Sequence, residues 1–292
     1  MNDAQDILNE YRDQNEKLVF KHTRLSDYKE DIKRIYEGTY ITPISTGLDH
    51  LDDHFNLFEG MLFLVTGFPG AGKSELLRFI SCNWVKQQRG RVCVFSPESE
   101  TPILITEKIA SIRGGMDYKT AEHIVDENFV FLEIDENVGL PEIKAMIDEM
   151  ERLNMEGCNF FIIDPMNWLT STTYNANTFE ALRATLTFLK QFAKRTKSVV
   201  GYVEHPKTPS PNKDGEYPRA NIFMVNGGTM HNNKIDGCLI LHRIKNKDQH
   251  GISIMSKSDP VVIEVAKLKF QKYLGTPNSV EVNYDWKTGN YY

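Results

Sequence analysis

The sequence is short of cysteine. It has four in 292 residues, Cys82, Cys93, Cys158 and Cys238, widely spaced and with no C-x-x-C pair. That excludes a disulfide-stapled scaffold and leaves no spacing for a zinc site or a dithiol redox centre. Three of the four lie among apolar neighbours, as buried reduced thiols do, which fits a reducing compartment. Long hydrophobic runs are lacking too. The longest, such as Met61–Val65, fall far short of the roughly 20 residues that cross a bilayer. No membrane association is expected. The opening stretch MNDAQDILNEYRDQNEK has no apolar core of signal-peptide length, so a soluble intracellular chain is expected. Internal repeats and low-complexity tracts are absent. There is no basic excess: 34 Lys and Arg face 40 Asp and Glu, a net charge of −6. This argues against a surface that is basic all over, but leaves room for a local positive lining.

What is present is an ordinary globular composition, 40% hydrophobic and 25% charged, long enough for one large or two modest domains. Residues 1–38 stand apart, rich in charge and free of proline. Leu8, Tyr11, Leu18, Ile32, Ile35 and Tyr36 suggest amphipathic helical pieces with too few apolar residues to build a core. Two readings stay open for this arm: a solvated helix on the body, or a linker that docks on a neighbouring subunit. Residues 39–292 form the expected main domain.

There, short apolar runs alternate with amphipathic stretches. Strands are predicted at Met61–Thr66, Arg91–Phe95, Phe129–Ile134, Phe160–Asp164, Ser198–Glu204, Gly237–His242, Val261–Leu268 and Ser279–Tyr284. Helices are predicted at Lys73–Gln88, Pro102–Ile112, Tyr118–Glu127, Leu140–Leu153 and Phe179–Lys197. Such alternation implies an α/β fold with a mostly parallel central sheet covered by helices on both faces. The last strands lack intervening helices and are expected to pair antiparallel at the C-terminal edge. Pro206–Asn221 reads as a long polar loop.

Gly67-Phe68-Pro69-Gly70-Ala71-Gly72-Lys73-Ser74 fits G-x-x-x-x-G-K-[ST], between a strand and a helix whose Leu76, Leu77, Ile80 and Trp84 share one face. This is the P-loop pattern in its required setting. The glycines let backbone N–H groups turn inward around phosphate oxygens, and the helix N-terminus adds partial positive charge. Gly67, Pro69, Gly70, Ala71, Gly72, Lys73, Ser74 and Glu75 are therefore the candidate residues for ATP or another nucleoside triphosphate. Lys73 is expected to reach the β- and γ-phosphates, and Ser74 to ligate Mg²⁺. A metal-holding carboxylate should end a neighbouring strand; Asp164 follows four large apolar residues and fits. Glu98, at the end of the second strand, is the candidate base for the attacking water. Glu100 is the fallback, and both could instead serve as helix-start carboxylates. His205, after the fifth strand, is placed to sense the γ-phosphate.

These elements together resemble the RecA-like motor domain of the hexameric replicative helicases of DnaB type, most closely the phage primase–helicases and Twinkle. The likeness runs from about residue 43 to 292. Pro43 to Asp52 is similar to the family's "TGxxxLD" lead-in, Phe95-Ser96-Pro97-Glu98 to "FSLE", and Asp164-Pro165-Met166-Asn167 to "DYLQ". Val203 to Lys207 is similar to the "IHPR" of the phage branch. The resemblance implies that Glu98 is the catalytic base, that Arg243 contacts nucleotide, and that Tyr284, in Tyr284-Asp285-Trp286-Lys287-Thr288-Gly289, packs on its base. It implies an ATP-driven ring, a homo-hexamer, moving on single-stranded DNA, a possible primase partner, fused or separate, and a cytoplasmic setting in a bacterium or phage-infected host. Two departures stand out. The family's trans-acting Arg finger, in a "KxR" pattern, is here Lys267-Leu268-Lys269, so Lys269 carries that expectation. The "LRGSG" DNA loop is here Val225-Asn226-Gly227-Gly228-Thr229, flexible but without the Arg. Ser171–Thr178 and 207–233 are the expected DNA-facing loops, with Lys207, Lys213, Arg219 and Lys234 nearby; solvated loops without DNA are the alternative. A RecA- or KaiC-like ATPase in recombination, or organising a protein assembly, is the competing function.

Overall fold

The computed structural model describes residues 22–135, 139, 141–169, 178–207, 209–210, 218–243, 246–247, 253–254 and 260–292. Leu8, Tyr11, Leu18, Lys213 and residues 171–177 of the first expected DNA loop lie outside them. The chain divides into two compact units, Met1–Ile41 and Thr42–Tyr292. In the first, a 3-10 turn at Leu25–Tyr28 leads into helix α1, Lys29–Tyr36. Arg34 donates to the Thr39 carbonyl at 3.1 Å and covers the Tyr40 ring. None of the described side chains in this unit is buried.

The second unit begins with the short helix α2 (Asp49–Asp52) and continues β1 (Leu62–Gly67), α3 (Lys73–Lys86), β2 (Arg91–Phe95), α4 (Thr101–Arg113), α5 (Tyr118–Asn128), β3 (Phe129–Leu132), α6 (Ile143–Met155), β4 (Cys158–Ile163), α7 (Thr178–Thr196) and β5 (Val199–Glu204). It ends with α8 (Gly228–Lys234), β6 (Gly237–Arg243), β7 (Asn246–Lys247), β8 (Ser253–Ile254), β9 (Val261–Leu268), α9 (Gln271–Leu274), β10 (Ser279–Val282), β11 (Tyr284–Asp285) and β12 (Asn290–Tyr291). Eight strands form one sheet in the order β10-β9-β6-β1-β5-β4-β2-β3. Neighbours from β6 to β3 pair parallel, while β9 runs antiparallel to both β6 and β10. The predicted α/β class and its antiparallel edge are therefore found.

The boundaries differ where local chemistry intervenes. Helix α6 starts three residues later than predicted, after Pro141, because proline suits the approach to a helix better than its interior. The last predicted strand breaks at Asn283, where the chain leaves β9 to pair with its own C-terminus. Asp285 makes that turn: it accepts from the Lys287 N–H and the Thr288 hydroxyl, and Gly289 adopts φ +72°. At the base of the predicted loop after Pro206, the Lys207 N–H donates to the Met224 carbonyl at 2.9 Å. The Val225–Thr229 glycines are not there for flexibility. A Cβ on Gly228 would lie 2.3 Å from the Ile222 carbonyl oxygen, so the turn into α8 demands glycine.

Side chains alternate between faces of β1, as the strand period requires. Leu62 and Leu64 join the core under α6 and α7. Phe63 faces the other way, its ring 5.9 Å from Phe55 and 6.4 Å from Phe160, which in turn meets Trp84 of α3 at 5.3 Å. The strand beside β1 must leave room for Phe63. A Cβ on Gly201 of β5 would come within 2.6 Å of that ring, and Phe63 is fully buried, so it cannot swing aside. We predict that Gly201→Ala lowers unfolding stability by about 1–3 kcal/mol, as overpacked cores do. Urea unfolding measures this; an unchanged midpoint would show that the ring has space.

Candidate functional site

The chain leaves β1 at Gly67 (φ +150°) and passes through Gly70 (φ +76°) and Gly72 (φ +100°), so three loop positions use conformations that side chains disfavour. Gly72 caps the amino end of α3. Pro69, Gly70 and Ser74 are exposed, while Ala71, Gly72 and Lys73 are buried. The Lys73 ammonium lies inside the loop it follows, donating to the carbonyls of Gly67 at 3.0 Å and Phe68 at 3.3 Å. Burial pushes its pKa down; Asp164, Glu75 and Glu98 pull it back up.

Asp164 directly follows β4, and its backbone N–H donates to the Phe95 carbonyl at 2.9 Å, locking the end of β4 against the end of β2. The buried carboxyl is raised by desolvation and held back by a hydrogen bond from Ser74 and by the Lys73 charge. Two oxygen donors, Ser74 and Asp164, thus meet across the loop. That set suits Mg²⁺, which takes one or two protein oxygens and completes its shell with phosphate and water. No cluster of three or more His, Cys, Asp or Glu placed to hold a metal occurs among the described residues.

Glu98 lies three residues beyond β2, exposed, and its Oε1 accepts from the Trp168 indole N–H at 3.1 Å. Glu100 stands at the N-cap position of α4 with no side-chain cap bond. His205 leaves the end of β5, where the Thr66 hydroxyl donates to the Glu204 carbonyl at 2.7 Å. Burial first, then the Lys73 charge, lower the His205 pKa, so its imidazole is neutral at pH 7. Glu204 beside it is raised by burial to about 7.

Arg243 ends β6, its guanidinium 5.0 Å from the Trp286 ring. Its Nε is buried without a hydrogen-bond partner. Tyr284 sits in an aromatic cluster, 5.2 Å from Trp286 and 4.9 Å from Tyr291. Arg78 of α3 donates to its hydroxyl at 2.5 Å, while also pairing with Glu107 at 2.6 Å. Tyr291 completes the tie by donating to the Gly72 carbonyl at 3.2 Å. The carboxy-terminal hairpin is thus fastened to the helix that begins at the P-loop.

Lys269 is not brought to this site. It follows Leu268, which pairs with Gly237 at the start of β6, placing it near the amino end of β1, roughly 15 Å of strand away from the loop. Its ammonium donates to Asp236 Oδ1 at 3.0 Å. Asp236 is buried and also takes the Lys190 ammonium and the Leu62 N–H. Lys190, Asp236, Trp168 and Arg78 carry no local signal in the sequence, because their partners lie 46, 174, 70 and 206 residues away.

No family model matches the chain. Over 284 residues it is 28% identical to the Twinkle homolog protein, chloroplastic/mitochondrial, of Arabidopsis thaliana, a match covering 91% of this chain. The chain spans about two fifths of that relative, 39% of its length. A solved structure of a single ATPase domain superposes with a TM-score of 0.73 at 14% identity, covering 93% of this chain and 99% of that one. A DnaB-like replicative helicase, solved in relation to its interactions with primase, gives 0.68 at 14% identity, covering all of this chain and 71% of the other. A P-loop at the end of a central parallel strand, in a sheet matching both structures, gives this chain the RecA-like ATPase fold of the DnaB-like replicative helicases.

Proposed function

We propose that this chain is a nucleoside-triphosphate-hydrolysing motor of the replicative-helicase type, moving on single-stranded DNA as a ring of like subunits, six by the resemblance. One observation carries the reading. Lys73, His205, Asp164 and Glu98 leave the carboxyl ends of β1, β5, β4 and β2, four strands adjacent in that order. Ligands of open α/β sheets bind at that end. The likeness to the Twinkle homolog supports it.

In this reading the loop N–H groups and Lys73 hold the β- and γ-phosphates. Ser74 and Asp164 would hold Mg²⁺, which would supply neutralising charge for the phosphates. Glu98 orients a water and accepts its proton as the water oxygen bonds to the γ-phosphorus. The bond to the bridging oxygen breaks, and its electron pair leaves with the diphosphate. Neutral His205 reads the γ-phosphate by hydrogen bonding. Arg243 and Tyr284, with Trp286 between them, face the base. Exposed Phe179 and Phe223 beside Lys207 offer stacking and charge for single-stranded DNA. A primase partner is proposed on the fold's likeness to the DnaB-like helicase alone.

Lys73→Ala is expected to abolish hydrolysis and weaken nucleotide binding. Glu98→Gln is expected to bind ATP normally and to lose turnover by about 10²–10⁴-fold. Wild-type hydrolysis should rise with single-stranded DNA. Hydrolysis indifferent to DNA would favour the assembly-organising ATPase instead. Full activity in Glu98→Gln, with loss in Glu100→Gln, would move the base.

The trans-acting cation is proposed to be Lys269, delivered to the neighbouring subunit's γ-phosphate from its seat on Asp236. Lys offers one point charge where Arg offers a planar fork, so intrinsic turnover should be slow and concentration-dependent. Mixing Lys269→Ala with Lys73→Ala subunits should restore activity at interfaces that combine an intact loop with an intact Lys269. Mixed rings without recovery would remove the trans role.

A further inference from the structure

Glu98 has a long side chain on an exposed segment, and a base acts only if its free oxygen points at the water. Among the described residues its one hydrogen-bond partner is the Trp168 indole, at 3.1 Å from Oε1. Trp168 closes a 3-10 turn, Met166–Trp168, that starts two residues after Asp164. The turn is fixed: Met166 is buried, Leu169 N–H donates to the Met166 carbonyl at 3.0 Å, and the indole packs against the core under α6 and α7. The Asp164 N–H bond to Phe95 holds the two strand ends together, so donor and acceptor start from a common rigid base.

We propose that Trp168 is a positioning residue for Glu98. Its N–H occupies Oε1 and thereby presents Oε2 to the attacking water. The inference rests on the reading of Glu98 as base. Indole suits the task because it is a donor only and cannot take the proton itself. A bulky apolar side chain at this position would fill the same space and leave the carboxylate free to rotate about its terminal torsion, which has no sharp preference of its own. The segment that carries the metal-holding carboxylate therefore also aims the base, and the two functions are set by one turn.

The test uses Trp168→Phe and, to keep the ring shape, site-specific replacement of Trp168 by its sulfur isostere benzothienylalanine, which has no N–H. Both should lower kcat by about tenfold to a hundredfold, the scale of a misplaced catalytic group, with the KM for ATP changed less than about twofold. In a Glu98→Gln background the same replacements should cost nothing further, because residues that act as a unit are non-additive. The ¹⁵N–¹H indole spectrum has three tryptophans to resolve, and the Trp168 resonance should move upfield on Glu98→Gln. An unchanged kcat in the isostere, an equal loss in the Glu98→Gln background, or an unmoved indole resonance would each overturn the positioning role while leaving Glu98 as base. Normal turnover by Glu98→Gln alone would overturn the base reading and this inference with it.

Discussion

The backbone leaving β1 passes so close to β6 that a Cβ on Gly67 would lie 2.5 Å from the Leu241 carbonyl oxygen. That approach fixes where the phosphate loop begins. β1 is paired on both sides, with Thr66 opposite Glu204 in β5 and Gly67 opposite Leu241 in β6. The register therefore carries His205 and Arg243 to the same level as the loop. The remaining site parts follow outward, since β4 pairs with β5 and β2 with β4. A shift of one residue anywhere in this series would turn every side chain to the opposite face.

Charge is placed with equal economy. Lys73, Asp164 and His205 are all desolvated; the Asp164 carboxylate partly compensates the other two, while Lys73 adds to the burial that lowers His205. At the amino end of the same sheet, Asp236 balances Lys190 and Lys269 and also holds the Leu62 N–H. Only the carboxylate of this trio is fully buried, so losing both lysines would leave an uncompensated buried charge, which is costly. Two ammonium groups on one carboxylate leave a net positive charge, so Lys269 can engage a second anion without stripping Asp236 of its counter-charge.

Much of this was legible in the sequence because its signals are local. The P-loop glycines, the apolar strand before Asp164 and the helical face of Leu76, Leu77, Ile80 and Trp84 all lie within a few residues of what they build. The strand and helix positions followed from the same periodicities. What escaped was long-range pairing. Nothing near Trp168 marks it as the donor to Glu98, and Arg78 reads as an ordinary helical arginine until Tyr284 arrives from the far end of the chain. Glycine misled once: Gly227-Gly228 reads as a flexible loop, but the Ile222 backbone packs where a Cβ would stand.

Hydrolysis at the end of β1 is proposed to drive movement on DNA. Strand displacement from a forked duplex with a single-stranded tail measures it directly. ATP-dependent displacement, lost with a non-hydrolysable ATP analogue, is the expected result. ATP hydrolysis that proceeds at full rate with no strand displaced from any fork polarity would contradict it.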